Sequence, residues 1–168
     1  MNLVPDQAAA QPTAGSSPSE AGFTLIEAMI VCSLIAILAA IAIPSYADYL
    51  RRGQLKEAFN GLSDYQVKLE QYYQDNKNYG ASGGTTCANG ANAPSWNTFV
   101  PSGLRYFTFS CALNGGADNQ GYTLTATGST AAATGHVYTV TNGNVRQTTR
   151  FKGVAVTKSC WLVRGDEC

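Results

Sequence analysis

Charge is scarce in this chain of 168 residues: Asp, Glu, Lys and Arg make up 13%, about half the roughly 25% of an average soluble domain. Eleven Lys and Arg balance eleven Asp and Glu, and no basic residue precedes Arg51. Neither a polybasic chain nor a disordered acidic one fits that distribution. Histidine is represented by His136 alone. With no second ligand at metal spacing, it reads as an exposed strand residue rather than a metal ligand. The length allows one domain and hardly a second, which excludes large two-domain enzymes.

What the chain does have is one long apolar run. From Phe23 to Ile43 it reads FTLIEAMIVCSLIAILAAIAI, 21 residues interrupted only by Thr24, Glu27 and Ser33, or about 31 Å as a helix. That length spans a bilayer. A core helix of a soluble domain would keep a polar face, and residues 28 to 43 keep none beyond Ser33. Of five cysteines, Cys32 lies in the run and Cys87, Cys111, Cys160 and Cys168 lie in the polar remainder. An even extramembrane count suggests two disulfides and an oxidising compartment. Three pairings are open; locality favours Cys87 with Cys111 and Cys160 with Cys168.

Residues 1 to 22 are rich in Ala, Pro, Ser and Gln without an apolar period, as in a tail or leader. After Pro44 the pattern becomes one-sided: Leu55, Ala58, Phe59, Leu62, Tyr65, Leu69 and Tyr72 recur at spacings of three and four. This predicts an amphipathic helix over 44 to 79, continuous with the apolar run, so that one long helix covers about 24 to 76. Residues 80 to 104 are dense in Gly, Ser, Asn and Pro and read as an irregular connection. Residues 105 to 150 hold alternating segments, with Asn142-Gly143 as a hairpin turn, and predict a three- or four-stranded antiparallel meander. The helix stripe needs an apolar partner, which Phe107 or its neighbour, Leu124, Tyr138 and Val140 supply, giving an α+β layer. Residues 151 to 168 read as a disulfide-closed loop.

Glu27 is the most informative residue, because a carboxylate within a hydrocarbon span costs a few kcal/mol unless something neutralises it. Cleavage between Gly22 and Phe23 would create an amine four residues away, on the same chain or on an adjacent copy. Here Gly22-Phe23-Thr24-Leu25-Ile26-Glu27, with the run ending ILAAIAIPSYADYLRR, resembles the type IV pilin signature. The resemblance is near-continuous over residues 22 to 52, softer through the rest of the helix, and organisational beyond it. It implies that residues 1 to 22 are a leader removed by a prepilin peptidase, which then N-methylates Phe23. It also implies assembly roles for Glu27, Thr24 and Pro44. The expected fold is the type IV pilin fold: the long helix on the meander, with a C-terminal disulfide loop. The implied partners are other pilin subunits packed helix to helix, the peptidase, an inner-membrane assembly platform and, before assembly, membrane lipid. The implied location is the bacterial inner membrane, then an extracellular pilus serving assembly, adhesion or twitching motility.

KLEQYYQDNKNYG, FTFSC, and FKG with Cys160-Trp161 before a terminal Cys168 look most similar to minor pilins. Two departures stand out. Residues 1 to 22 carry no Lys or Arg, so orientation loses its charge signal. Leu34-Ile35-Ala36 stands where relatives often have glycine, which leaves Pro44 as the principal helix breaker.

Competing signals are weaker. A secretory signal cut after Ala40-Ile41-Ala42 would place Glu27 in its apolar region and Pro44 right after the cut. Gly80-Ala81-Ser82-Gly83-Gly84 matches a nucleophile elbow formally, but a helix precedes it and a loop comes after it, so no enzyme is expected. Arg164-Gly165-Asp166 spells an adhesion tripeptide. Arg146, Arg150, Lys152, Lys158 and Arg164 form a basic run with Phe151 and Trp161 among them. It could bind DNA through phosphates and stacking, although a solvated sheet edge is the favoured reading. The expected function is therefore a structural pilus subunit without cofactor or metal; the alternatives are a type II secretion pseudopilin and a DNA-uptake receptor pilin.

Overall fold

In the computed structural model, residues 22–80, 87–88, 104–114 and 119–168 are described. Residues 1–21, read as part of a leader, and most of the glycine-rich connection, including Ser82 of the elbow-like pentapeptide, lie outside the described residues. Helix α1 runs Leu25–Asn76. Thr24 caps its start: the Thr24 Oγ1 accepts the Glu27 backbone N–H at 3.3 Å, the usual service of a hydroxyl residue at that position. Pro44 lies inside α1, where it removes one backbone donor, and the helix continues through it. Past Asn76, Lys77 adopts φ 57°, a left-handed residue that ends the helix.

The chain divides into two compact units, residues 1–40 and 41–168. In the first, the described residues are the start of α1, and its large apolar side chains are exposed, from Val31 at 42% to Leu25 at 78%. This stretch is long and apolar enough to cross a membrane.

The second unit holds the core. On the α1 stretch within it, Leu55, Ala58, Leu62, Tyr65 and Leu69 are buried, the positions that a 3.6-residue period aligns on one face. Across from them stands a five-stranded antiparallel meander in sequential order: β1 Phe107–Leu113, β2 Tyr122–Gly128, β3 Val137–Thr141, β4 Arg146–Phe151 and β5 Val154–Lys158. Phe107, Leu124, Tyr138 and Val140 are buried in the shared core, as the alternation in their strands predicts. Phe59 on the helix meets Tyr138 edge to face at 5.1 Å.

The sheet corrects the expected three or four strands. The fifth, β5, lies in the segment read as a loop. Lys152 and Gly153 have φ 51° and 83°, and Phe151 pairs with Val154 across them. Two consecutive left-handed residues make the tight hairpin turn whose twist suits antiparallel strands. The turn at Asn142-Gly143 is also present, but its left-handed residue is Asn144, at φ 57°. There the Asn144 N–H donates to the Thr141 carbonyl at 2.9 Å.

The structure joins Cys87 to Cys111 and Cys160 to Cys168, each pair with Cα atoms 5.8 Å apart. The first bond ties the connection after α1 to β1, and the second closes the C-terminal end of the chain on itself. Cys32 is free and exposed.

Candidate functional site

Gly22, Phe23, Thr24 and Glu27 all lie on the exposed surface at the start of α1. Glu27 is the only charged side chain between residues 21 and 47, set among exposed Leu25, Ile26, Met29 and Ile30. The arrangement is one carboxylate on an otherwise apolar surface.

The five cations of the C-terminal segment do not form one track. Thr148 and Phe151 are both buried although three residues apart, an odd spacing that a regular strand cannot direct to one face. A register shift between Thr148 and Arg150 supplies the extra residue, and such a bulge reverses the facing of the residues after it. Arg146, two residues before Thr148, therefore lies on the helix side, and Arg150, beside Phe151, on the other. The guanidinium of Arg146 sits 4.6 Å above the Trp161 ring. That ring stacks in turn on Phe59 at 5.2 Å and donates its indole N–H to the Thr139 carbonyl at 2.9 Å. The two lysines are engaged by carboxylates: Lys158 meets Asp166 at 2.9 Å, and Lys152 lies 3.9 Å from Asp48. Arg164 is elsewhere, lining a groove with Pro44 and Arg52. Among the described residues, neither Arg146, Arg150 nor Arg164 has an ion pair.

Two further expectations change. Phe151 and Trp161, read as possible stacking surfaces for nucleic acid, are 7% and 8% exposed and covered by the core. His136, read as exposed, is 2% exposed. It packs edge to face on Phe151 at 5.0 Å and donates its Nδ1–H to the Ala133 carbonyl at 2.9 Å. Burial pushes its pKa below the ordinary value, and the positive charges of Arg51 and Lys152 act in the same direction, against hydrogen bonds to the backbone of Ala133 and Thr134. Among the described residues, no three His, Cys, Asp or Glu side chains converge as a metal site.

Sequence reading missed three polar anchors. Arg51 is buried; its guanidinium lies 5.8 Å from the centre of the Phe151 ring and bonds Asp48 at 2.8 Å. Glu57 accepts the backbone N–H groups of Arg105, Tyr106 and Phe107 at 3.1, 2.7 and 3.0 Å. Glu70 accepts the hydroxyls of Tyr79 and Tyr122 at 3.1 and 3.2 Å. Burial first, and then the bond and charge of Glu70, push the Tyr79 hydroxyl up to about 12. No sequence period marks the contacts of Glu57 and Glu70, which reach residues outside the helix; Arg51 stands four residues before Leu55, at the start of the buried stripe, where the helical period could have found it.

An apolar, carboxylate-bearing helix start on a disulfide-bonded helix-and-meander unit defines a type IV pilin, and residues 17–43 match the prokaryotic N-terminal methylation motif. The chain belongs to the family described as type IV minor pilin ComP, DNA uptake sequence receptor, whose model matches residues 44–137, more than half of it. It is similar to the fimbrial protein EcpC of Eikenella corrodens, 54% identical over 54 residues, covering 32% of this chain and 35% of that one. A fimbrial protein of Moraxella nonliquefaciens is 42% identical over 74 residues, 44% of this chain and 47% of that one. The major fimbrial protein FimA of Dichelobacter nodosus is 46% identical over 56 residues, 33% of this chain and 35% of that one. The chain thus spans between about a third and a half of the length of these curated relatives. Among solved structures, the non-core minor pilin PilV of Neisseria meningitidis aligns at 18% identity with a TM-score of 0.40, over 64% of this chain and 95% of that one.

Proposed function

We propose that this chain is stored in a membrane through the first part of α1, is cut between Gly22 and Phe23 by a prepilin peptidase that methylates Phe23, and then enters a pilus as a minor subunit. The supporting observation is the exposed apolar surface from Leu25 to Ile43, which water cannot cover without large cost and which lipid, or the helices of other subunits, can. Glu27 makes that surface selective: within the apolar environment its carboxylate calls for a cation, and the new amine of a neighbouring Phe23 is one. Thr24 fixes the helix start beside it, and Pro44 marks the end of the inserted half. Intact mass of protein recovered from sheared pili tests the scheme. A chain beginning at Phe23 and carrying one extra methyl supports it; one beginning at Met1 or Ile43 refutes it.

A second role, DNA capture, is favoured by the family's description as a DNA uptake sequence receptor and by the exposure of Arg146 and Arg150, which lie on opposite faces of the sheet and would meet phosphates separately. Because Trp161 and Phe151 are covered, contact would run through phosphates, not through stacked bases. Detergent-solubilised full-length protein should then bind duplex DNA with an affinity that falls steeply as salt rises. Arg146→Glu together with Arg150→Glu should weaken binding and flatten the salt dependence. Equal binding by wild type and variant would remove these residues from the reading.

A further inference from the structure

Arg52 stands between two grooves of the second unit. One, of about 440 Å³, is walled by Ile41 and Pro44 and carries Arg52 and Arg164. The other, of about 550 Å³, is walled by Tyr49, Leu50 and Val163 and carries Arg52 and Lys56. The acid beside them, Asp48, is already engaged, by Arg51 at 2.8 Å and by Lys152 at 3.9 Å. Among the described residues, Arg52 itself spends only its Nε–H, on the Asp48 carbonyl at 3.3 Å. The pair of grooves is thus cationic at its centre and apolar at its lips, where Ile41, Tyr49 and Leu50 are 71%, 66% and 44% exposed.

Position along the chain identifies the ligand class. The apolar run ends at Ile43, and Tyr46, Tyr49 and Arg52 come after it at three-residue spacing, so Arg52 stands about 14 Å beyond the run along the helix axis. The headgroup zone accounts for about 5 to 8 Å on each side of a bilayer, and a long arginine stem reaches back toward it. Tyrosines are the residues that settle at this level. The lip formed by Ile41 and Pro44 is aliphatic and lies at the end of the run, so with the guanidiniums it suits a molecule with acyl chains and a phosphate, whereas a nucleic acid offers phosphates and flat bases but no aliphatic chain.

We propose that the first of these grooves binds the headgroup of an anionic phospholipid while the subunit is stored in the bilayer, with Arg52 and Arg164 holding the phosphate and Ile41 and Pro44, at the end of the run, lying against the upper acyl chain. The proposal rests on the membrane storage described above. It adds a reason for the clustering of cations just past the span, and a holding contact that extraction into a filament has to break.

The test uses the full-length chain in vesicles of phosphatidylcholine, with or without phosphatidylglycerol. Flotation measures insertion, and native mass spectrometry of the detergent-released protein measures retained lipid. The expected result is flotation with both vesicles and preferential retention of phosphatidylglycerol. That preference should fall about fivefold for each cation removed in Arg164→Gln and in Arg52→Gln with Arg164→Gln, while Arg146→Gln leaves it unchanged. Flotation with equal retention of the two lipids would overturn the headgroup site and leave storage intact. Failure to float with either vesicle would overturn both. Release of retained phosphatidylglycerol by a short duplex DNA, to the same extent in wild type and the Arg146→Gln variant, would assign the groove to DNA instead.

Discussion

The Glu57 carboxylate accepts the Tyr106 backbone N–H at 2.7 Å, and with it those of Arg105 and Phe107. One helix side chain thereby fixes where β1 begins, far along the chain. Hydrogen bonds to a charged group contribute about 1.5–3 kcal/mol, and leaving buried N–H groups unmatched adds desolvation cost. Glu57→Ala should lower unfolding stability by about 2–4 kcal/mol, seen as a lower urea midpoint. Glu57→Gln should recover part of the loss, since its carbonyl still accepts. Equal stability of Glu57→Ala and wild type would show that the strand start is held by other contacts.

The helix stripe was readable because Leu55, Ala58, Leu62, Tyr65 and Leu69 repeat the helical period, and the strand faces were readable because Leu124, Tyr138 and Val140 alternate. What escaped was fixed by non-local geometry. Val154–Lys158 is short and mostly exposed, so its composition resembles a loop, and its pairing depends on the conformation of Lys152 and Gly153. His136 is covered because the β2–β3 and β4–β5 turns meet, with the Gly153 N–H donating to the Gly135 carbonyl at 2.8 Å. Neither turn alone announces the other. The basic run was legible as charge, yet one bulged residue divides it between two faces.

Two glycines test how tightly the helix and the turns are packed. A Cβ at Gly61 would overlap the outer edge of the Phe109 ring, which can swing, and alanine gains about 1 kcal/mol of helix propensity over glycine. Gly61→Ala should therefore be close to neutral, and Gly61→Leu should cost about 1–3 kcal/mol by displacing the ring. A Cβ at Gly128 would strike the Ala133 backbone carbonyl, which has no such freedom. Gly128→Ala should be clearly more destabilising than Gly61→Ala by denaturant titration; the reverse order would mean that the β2–β3 turn yields more easily than a side chain.

The Cys87–Cys111 bond closes 24 residues of separation. Chain entropy gives it about 3.5 kcal/mol, against a typical total of about 5–15 kcal/mol. Cys87→Ser with Cys111→Ser should unfold at a markedly lower urea concentration, and should expose the connection after α1 to limited proteolysis before the sheet. A digestion pattern identical to wild type would show that the bond is dispensable for holding that connection.

Replacing Glu27 separates insertion from assembly. Glu27→Val removes the one charge from the apolar run, which lowers the cost of membrane insertion by a few kcal/mol. It also removes the carboxylate proposed to meet a neighbour's amine. The variant should insert at least as well as wild type while its share in sheared pili falls at least about tenfold, as quantitative immunoblotting of membrane and pilus fractions would measure. Normal incorporation would sink the assembly role.

His136 gives the fold a pH dependence whose sign is set by its surroundings. The ring is buried, so its charged form loses hydration, and Arg51 and Lys152 both repel that charge; Asp48, which is ion-paired with these two cations, offsets only part of the repulsion. Its folded pKa therefore lies below the unfolded value, which is about 6.5. Between those two values the unfolded chain binds the extra proton, so stability is fully present above about pH 6.5 and declines as pH falls toward the folded pKa. Most carboxylates titrate below about pH 4.5 and leave this interval to the imidazole. Urea midpoints measured between about pH 7.5 and pH 5 should fall for the wild type and stay level for His136→Gln. If wild-type stability rises on acidification across that interval, the imidazole gains its charge more readily in the fold than in water, and its packing against Phe151 and beside Arg51 would have to be abandoned.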